Sequence, residues 1–330
     1  MKTTSTLIPL IFAASTYAHG LLHQITINGK SYLGNGVDGG TPFPSVIRQV
    51  STPNPNKGAN NSALNCGPNA QPATLIANAN PGDQFGFDWK GADGSNWPHN
   101  TGPMLTYLAS CGSTTCDKFD PQTAKWFKID QVGRAPGSAD WVQQSLMTGS
   151  LASVKLPSNL APGNYFVRHE IIALHLATAP GGAEFYPACS QLTVGGSGTG
   201  VPDPSELVSL PGAYSDNDPG IFDPQVFDAS APYTFPGPPI AAFVNGATST
   251  PGNATTTASS SATATNTGGA KPTGTSKSSK GKTCKLKKGK SASSSVVPSA
   301  SAAAASATTT DMYPRHFSRV MRRLALGRSI

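Results

Sequence analysis

The chain has 330 residues, of which 37% are hydrophobic and only 12% are charged, and it contains 35 glycines and 29 prolines. This composition favours strands, turns and loops over a helical bundle, and it can still fill one good core. The net charge of +7 does not indicate a nucleic-acid partner, because residues 271–330 hold eight lysines, five arginines and one aspartate, a net charge of +12 that leaves −5 for residues 1–270.

The chain begins with the pattern of a secretory signal peptide. Lys2 gives a positive start, residues 7–14 are apolar, and Thr-Tyr-Ala at residues 16–18 offers a cleavage site. The apolar run is too short to span a bilayer, and no later stretch is long and apolar enough to do so. We therefore predict that residues 1–18 are removed, that the mature chain begins at His19, and that the protein is secreted into an oxidising compartment.

Short alternating runs predict strands throughout residues 19–245. Ile25 and Ile27 alternate with polar residues before Asn28-Gly29, a strong hairpin signal. Three further runs place apolar residues on one face: Phe85, Phe87 and Trp89; Leu105 and Tyr107; and Leu192 and Val194. In a fourth run Tyr165, Val167 and His169 share a face, with Phe166, Arg168 and Glu170 opposite. Such strands, separated by long Gly- and Pro-containing loops, predict an all-β domain with the architecture of an antiparallel β-sandwich. In such folds the loops tend to carry function.

The composition changes at residue 246 to mainly Ser, Thr, Ala and Gly. A segment of this kind cannot bury enough apolar surface to fold, so we predict that residues 246–330 are a disordered linker and basic tail without a carbohydrate-binding module. Within the tail, residues 316–330 allow a short basic amphipathic helix, although a disordered basic end is favoured. Our hypothesis is that the tail holds the protein near acidic polymers or is trimmed off.

Five cysteines occur, of which Cys284 lies in the tail. Cys111 and Cys116 are near neighbours in a turn-rich segment, which favours a local disulfide. Cys66 and Cys189 would then close a long loop, but the sequence alone does not fix this pairing. A zinc site is the alternative, and the spacings fit none of the usual Cys/His patterns. Two Asn-x-Ser/Thr sequons predict N-glycosylation, at Asn60 and Asn253.

One of the six histidines is placed by the predicted cleavage. Removal of residues 1–18 gives His19 a free α-amino group, so that its amine and imidazole can chelate one metal ion. A second imidazole would complete a T of three nitrogens, which suits the tetragonal preference of Cu(II). His99 is the best candidate, because its loop, Trp-Pro-His-Asn-Thr-Gly-Pro, can point it outward. For any single histidine, an ordinary surface or hydrogen-bonded role is the alternative.

Several ordered motifs together resemble one protein family. They are His19-Gly20 at the mature start, HNTGP at 99–103 leading into YLA at 107–109, RHEIIALH at 168–175, GAEFYPAC at 182–189, PGAY at 211–214, DPGI at 218–221 and YTFPGP at 233–238. In this order they are similar to the motifs of the fungal lytic polysaccharide monooxygenases of Auxiliary Activity family 9, formerly classed as a glycoside hydrolase family. The resemblance spans the predicted β domain and does not extend into the tail.

The resemblance implies a role for each matching residue. His19 and His99 would ligate copper, and the phenol oxygen of Tyr186 would approach the metal axially. His169 would lie just outside these ligands and hydrogen-bond the oxygen species. Tyr214 would lie on a flat face that bears the copper and stack on a sugar ring. The family's immunoglobulin-like β-sandwich and its two disulfides, Cys66–Cys189 and Cys111–Cys116, are implied as well.

The function implied by the resemblance is oxidative cleavage of glycosidic bonds. The protein would be a secreted, copper-dependent enzyme that acts as a monomer on cellulose or other plant cell-wall polysaccharides, with O2 or H2O2 and an external electron donor. The physical logic fits, because a crystalline chain needs a flat site and a strong C–H bond needs a redox metal with an open position.

One position departs from the family pattern. The residue before Phe185-Tyr186 is usually Gln, and here it is Glu184. On an alternating strand Glu184 and Tyr186 point to the same side, so Glu184 is a candidate catalytic residue. A Gln donates a hydrogen bond, whereas an ionised Glu only accepts, unless burial keeps it protonated. The change affects the rate, the pH dependence or the substrate more than the reaction class.

Two other functions compete with this interpretation. A glycoside hydrolase would need two carboxylates about 5–10 Å apart, and Glu170 and Glu184 are the candidates, although Glu170 alternates away from His169 towards surface partners. A non-catalytic copper- or polysaccharide-binding protein would keep the ligands without turnover. A chelator should not inhibit a hydrolase, and a binding protein should release no oxidised sugars.

Overall fold

The computed structural model describes residues 19–37, 43–135 and 138–245. The predicted signal peptide, the predicted linker and tail of residues 246–330, Asn253 and Cys284 lie outside the described residues.

Two sheets form the fold. In chain order the strands are β1 (Gly20–Ile27), β2 (Lys30–Leu33), β3 (Ala77–Ala79), β4 (Gln84–Gly91), β5 (Met104–Ser110), β6 (Trp126–Val132), β7 (Ala152–Lys155), β8 (Gly163–Ala173) and β9 (Glu184–Val194). One sheet has the order β2-β1-β4-β7 and the other β3-β9-β8-β5-β6, and neighbouring strands are antiparallel except for the pair β3–β9. Short 3-10 helices lie in the loops, at Ser62–Leu64, Pro121–Thr123, Val142–Thr148, Pro204–Glu206 and Ala242–Asn245. The predicted all-β sandwich is confirmed.

The first hairpin follows from its two turn residues. β1 pairs with β2 through Ile27 and Lys30, and the two residues between them, Asn28 and Gly29, have φ of 46° and 83°. A two-residue hairpin turn with positive φ at both positions favours Asn-Gly, because Asn tolerates the left-handed region and Gly enters it without a steric cost. The hairpin predicted from Asn28-Gly29 is confirmed.

The five-stranded sheet is apolar on both faces, and each face contributes to a separate core. The inner core lies between the sheets and includes Ile25, Phe87, Trp89, Val167, Tyr186 and Leu192. The outer core lies under the long loops and includes Leu64, Leu105, Trp126, Phe166, Leu174 and Phe185. Because side chains alternate along a strand, Val167 enters the inner core and Phe166 the outer one. β8 and β9 therefore lack an alternation of polar and apolar residues because both of their faces are buried.

Two disulfides fasten loops to this framework. Cys66, just after the 3-10 helix Ser62–Leu64, is bonded to Cys189 in the middle of β9 with an S–S distance of 2.01 Å. Cys111 and Cys116 close a five-residue separation after β5 with an S–S distance of 2.02 Å. Both predicted pairings are confirmed. No helix in the described ranges has the length and apolar character needed to cross a membrane.

Candidate functional site

The site lies where β8 ends and β9 begins. The last residue of β8, Ala173, pairs with the first residue of β9, Glu184. Alternation along β9 then places Glu184 and Tyr186 on the same face, as predicted, and the Tyr186 hydroxyl donates to Glu184 Oε2 at 3.0 Å. His175 lies two residues after the end of β8, in the turn that follows the strand.

The loop that carries His99 is fastened to the same edge. The Leu174 N–H donates to the Thr101 carbonyl at 2.9 Å. Gly102, with φ of 125°, passes so close to β8 that a Cβ there would lie 2.0 Å from the Ile172 carbonyl oxygen. Only glycine permits this approach, because any side chain would collide with backbone. The loop therefore delivers His99 to the end of β8.

Three side chains meet closely enough to hold a metal ion. One ligand atom from each of His99, His175 and Glu184 lies within 4.8 Å of the others. The two imidazoles stack with centroids 4.4 Å apart and an interplanar angle of 16°. Glu184 Oε2 lies 3.7 Å from His99 Nε2 and 3.9 Å from His175 Nε2. The Tyr186 hydroxyl lies 3.3 Å from His99 Nε2, so it is the fourth polar group in this cluster, which we call the His99 cluster.

The indole ring of Trp97 is an apolar surface against which two members of the His99 cluster pack. The ring stands edge-on to His99 at 5.4 Å and perpendicular to Tyr186 at 4.8 Å. On another side it contacts the start of β1, where a Cβ on Gly20 would lie 2.9 Å from the indole ring. Since Gly20 follows His19, Trp97 lies between the predicted mature N-terminus and His99.

The predicted ligand His19 is next to this site but outside the metal-capable group. Its carbonyl accepts the Ala92 N–H at 2.9 Å, which fixes its backbone beside β4, and its side chain is half-buried. In the 330-residue chain a peptide bond joins His19 to Ala18, so its α-nitrogen is an amide and cannot act as an amine ligand. Cleavage after Ala18 would free that nitrogen.

Glu184 is a buried carboxylate with a cationic partner. It is 5% exposed, and Lys57 Nζ lies 3.1 Å from its Oε1. Burial alone would raise the pKa of Glu184, but the hydrogen bond and the charge of Lys57, with smaller contributions from Tyr186 and His175, bring it below its ordinary value. This direction favours an ionised Glu184 that accepts hydrogen bonds over a carboxyl kept protonated by burial.

The phenol of Tyr186 stays protonated in this setting. Burial, then the charge of Glu184 and the hydrogen bond to it, raise the pKa of Tyr186 well above its ordinary value. A protonated phenol keeps its oxygen lone pairs directed away from Glu184, and that oxygen lies close to His99. The phenol oxygen therefore remains a neutral donor atom 3.3 Å from His99 Nε2.

The prediction that His169 belongs to the site is wrong. His169 lies four residues before the end of β8, about 13 Å along the strand, and its side chain is buried in the interior. Its Nδ1 accepts the Trp89 indole N–H at 3.1 Å, and its ring stacks on Phe87 with centroids 4.3 Å apart. Burial, with a smaller contribution from the charge of Arg168, lowers the pKa of His169 to about 3. It is a neutral part of the core.

The prediction that Tyr214 lies on an exposed face is also wrong. Tyr214 is 5% exposed and belongs to the outer core. Its hydroxyl donates to Glu170 Oε2 at 2.7 Å and lies 2.9 Å from the Tyr107 hydroxyl, and its ring stacks on Phe185. A ring held in this way cannot stack on a sugar.

Glu170, the second carboxylate of the hydrolase alternative, is buried too. It alternates away from His169 as predicted, but its partner is the fully buried Arg168, at 2.7 and 3.0 Å, and not a surface residue. Arg168 in turn donates to the Leu64 and Asn65 carbonyls. Because the pair is enclosed in the outer core, Glu170 cannot act on a polymer together with Glu184.

Two residues of the site were missed at the sequence level. His175 belongs to the same RHEIIALH segment as His169, and the signal that distinguishes them is the end of the strand: β8 stops at Ala173, so His175 lies in a loop. Lys57 had no signal, because it comes from a distant loop and no local pattern links it to Glu184. The sequon residue Asn60 lies in an exposed turn, so its predicted glycosylation has no steric obstacle there.

Sequence comparison places the β domain in a known family. The Auxiliary Activity family 9 profile, formerly GH61, matches residues 19–233. An AA9 family lytic polysaccharide monooxygenase D of Gloeophyllum trabeum is 50% identical over 98% of this chain and 97% of its own length. An AA9 family lytic polysaccharide monooxygenase F of Botryotinia fuckeliana is 38% identical over 73% of this chain and 98% of its own length.

Solved structures agree with this assignment. The extended catalytic domain of Hypocrea jecorina LPMO9A matches with a TM-score of 0.62 at 32% identity, over 73% of this chain and 96% of that one. A cellulose-active polysaccharide monooxygenase from M. thermophila matches with a TM-score of 0.59 at 35% identity, over 67% of this chain and 98% of that one. With the β-sandwich and the His99 cluster, these matches establish that the chain belongs to Auxiliary Activity family 9.

Proposed function

We propose that the mature chain is a secreted, copper-dependent lytic polysaccharide monooxygenase that cleaves cellulose or related β-glucans by oxidation. The observation that carries the proposal is the convergence of His99, His175 and Tyr186 at one end of the sandwich, beside the start of β1. Of these, the imidazole nitrogen of His99 suits copper, as would that of His19 at the neighbouring start of β1, and the phenol oxygen of Tyr186 adds a weaker donor. The donor set therefore fits copper.

His19, His99 and Tyr186 would hold the metal once cleavage after Ala18 frees the α-amino group of His19. Bound copper would supply one-electron redox chemistry and an open coordination position for O2 or H2O2. The chain's own residues orient the groups around it. His99 is held between the stacked ring of His175 and the edge of Trp97, which fixes the plane of its imidazole.

We assign to His175 the role that the resemblance implied for His169. The side chain of His175 is 31% exposed, so it can reach both the metal site and an approaching substrate. An imidazole N–H in this position can donate a hydrogen bond to a polar group that enters the site. Glu184, which is ionised, accepts from the Tyr186 hydroxyl and orients the phenol.

A hydrolytic mechanism finds no support in this geometry. Hydrolysis of a glycosidic bond needs two carboxylates flanking the sugar. Glu184 is paired with Lys57 and Tyr186, and Glu170 is enclosed with Arg168. A non-catalytic copper-binding protein would have the same donor set, so only a product assay separates it from the enzyme.

We place the enzyme outside the cell as a monomer, with residues 1–18 as the signal peptide, 19–245 as the catalytic domain and 246–330 as a linker and basic tail. Its partners would be a plant cell-wall polysaccharide and an external electron donor, and Asn60 would carry a glycan. Membership of a family of extracellular polysaccharide-degrading enzymes supports this location.

The first experiment tests the start of the chain and the reaction together. The secreted protein is sequenced from its N-terminus, loaded with one equivalent of copper, and incubated with cellulose and ascorbate, and mass spectrometry is used to detect aldonic-acid or keto-sugar products. We expect a start at His19 and oxidised oligosaccharides that disappear with EDTA and in His99→Ala. His23→Ala, which alters an exposed histidine of β1, is the matched control and should keep the activity.

Other results would contradict the proposal in distinguishable ways. A start at another residue would remove the amine ligand. Tight copper binding without oxidised products from any polysaccharide tested would indicate a binding protein. Unoxidised oligosaccharides released in the presence of EDTA would indicate a hydrolase.

A further inference from the structure

We propose that Lys57 is a positioning residue for the proposed copper site: by holding one oxygen of Glu184, it turns the other oxygen towards Tyr186, His99 and His175. This inference rests on the proposed function and adds to it a residue, from a loop outside the family motifs, that controls the orientation of the charge next to the metal ligands.

The loop before Lys57 is fixed to β9 by its backbone. Asn56 and Phe185 exchange two backbone hydrogen bonds, of 2.9 and 3.0 Å, and the Asn56 side-chain amide donates to the Phe185 carbonyl at 3.2 Å. Asn56 is buried. Because Phe185 follows Glu184 and Lys57 follows Asn56, this bridge places the two charged residues next to each other.

The ammonium group is held at two points. Lys57 Nζ lies 3.1 Å from Glu184 Oε1 and donates to the Gly182 carbonyl at 3.1 Å. Gly182 itself packs closely against the backbone of Leu176, because a Cβ on Gly182 would lie 1.7 Å from the Leu176 carbonyl oxygen. A lysine tethered to both the carboxylate and the loop that leads into β9 cannot rotate freely, although 44% of its side chain is exposed.

The two oxygens of Glu184 have separate partners. Oε1 faces Lys57, whereas Oε2 accepts from the Tyr186 hydroxyl at 3.0 Å and lies 3.7 Å from His99 Nε2 and 3.9 Å from His175 Nε2. Rotation of the carboxylate would move Oε2 away from the phenol and change the charge that the two imidazoles experience. Lys57 opposes this rotation because it is the group that holds Oε1.

The two partners of the ion pair differ in burial, so the pair is not equivalent to one between two exposed side chains. Exposed ion pairs contribute little, because both partners remain hydrated and the pair loses side-chain entropy. Here the carboxylate is buried and the ammonium remains partly hydrated, so Lys57 compensates a buried charge at a small desolvation cost of its own. A buried carboxylate without this partner would rotate, attract water or change its hydrogen bonds.

The test uses the mature, full-length protein with four changes: Lys57→Met, Lys57→Arg, Glu184→Gln and the double variant Lys57→Met/Glu184→Gln. Lys155→Met, which alters an exposed lysine at the end of β7, is the matched control. Three readouts are compared: the crystal structure of each metal-free protein, the electron paramagnetic resonance spectrum of its Cu(II) form, and its rate of oxidised-product release.

We expect Lys57→Met to lose the 3.0 Å contact between Oε2 and the Tyr186 hydroxyl or to show two carboxylate rotamers, to shift the copper hyperfine splitting, and to lower the turnover about tenfold. Lys57→Arg should restore the contact and the spectrum, and Lys155→Met should leave both unchanged. In the Glu184→Gln protein, adding Lys57→Met should not shift the spectrum further, because the lysine acts through the carboxylate.

The positioning role is overturned if Lys57→Met keeps both the carboxylate orientation and the spectrum of the parent, or if it shifts the spectrum equally in the Glu184→Gln background. Failure of the proposed function looks different. In that case the parent protein and its variants release no oxidised oligosaccharides, while the metal-free crystals still show whether the carboxylate turns when Lys57 is removed.

Discussion

His169 and His175 lie six residues apart in one segment and experience opposite environments. We expect His175→Ala to lower the rate of oxidised-product release about 10–100-fold with little change in stability, because a partly exposed ring that orients His99 is lost. We expect His169→Ala to lower the free energy of unfolding by about 2–4 kcal/mol, because it removes a buried ring and leaves the Trp89 indole N–H without its acceptor. Product assays and denaturant unfolding check the pair, and the reverse pattern would return His169 to the site.

Asp130 of β6 makes the stability of the protein depend on pH between about 4 and 6. It lines a cleft with Met104, Val132 and His169, and burial raises its pKa from 3.8 to about 6. Between these values the unfolded chain is ionised while the native state holds a proton, so stability falls as the pH rises from about 4 to 6 and the full cost is present above 6.

Asp130→Asn should therefore stabilise the protein at pH 7 by about 1–3 kcal/mol and change little at pH 3.5, where the carboxyl is mostly protonated in both states. Denaturant unfolding at the two pH values measures this difference. Asp140→Asn, which alters an exposed aspartate, is the control. Equal effects of Asp130→Asn at both pH values would show that desolvation of its charge is not the cause.

At the residue scale, the sequence predicted a site residue better where its place depends on the local chain than where it depends on how distant segments pack. His99 was proposed from its loop and Tyr186 from the family resemblance, and the structure brings the two side chains within 3.3 Å of each other. His169 was chosen over His175 from the resemblance of the RHEIIALH segment, and the sequence pattern did not show that the strand ends between them, at Ala173. Tyr214 was misplaced because a loop residue can be exposed or can cover the outer core, and only the folded loop decides between them.

At the element scale, strand alternation gave the two-layer architecture and the β1–β2 hairpin, since period two and an Asn-Gly turn are local properties. It did not reveal that the five-stranded sheet is covered on both faces. In β8 the residues of one face, including Phe166 and Arg168, are as buried as those of the other. The loops that cover these residues come from distant parts of the chain, so no local sequence pattern predicts the outer core.

The two disulfides join cysteines that lie at very different separations along the chain. Cys66–Cys189 closes a separation of 123 residues, whereas Cys111–Cys116 closes a separation of 5. In the chain-entropy account the long loop constrains the unfolded state more, by about 3 kcal/mol. We expect the Cys66→Ser/Cys189→Ser pair to lower the free energy of unfolding by that much more than the Cys111→Ser/Cys116→Ser pair.

Denaturant unfolding of both double variants at neutral pH measures the difference, and equal slopes with denaturant show that the unfolded states remain comparable. An equal loss of stability in both variants would contradict the entropic account. It would indicate that the packing of Cys189 in the outer core, rather than the long cross-link, determines the effect.

At the scale of the whole molecule, the charge is divided along the chain. Residues 271–330 carry a net charge of +12 and residues 246–270 carry none, while residues 1–270 carry −5, including Lys2 of the predicted signal peptide. The pI near 9.2 therefore describes the C-terminal residues and not the catalytic domain. A basic segment of this charge is attracted to anionic polymers over distances set by salt, about 10 Å at 0.1 M.

We expect a chain truncated after Asn245 to lose binding to an anionic polysaccharide such as polygalacturonate, while the full-length chain binds at 20 mM NaCl and is released at 0.5 M. The unfolding temperature and the oxidation of cellulose should be the same in both proteins, because the two cores and the His99 cluster lie within residues 19–245. Sedimentation with the insoluble polymer and intact mass spectrometry of the secreted protein are the measurements. Unchanged binding after truncation would exclude the tethering role, and a secreted mass that lacks the tail would favour trimming, because a segment removed before the enzyme reaches its substrate cannot hold it there.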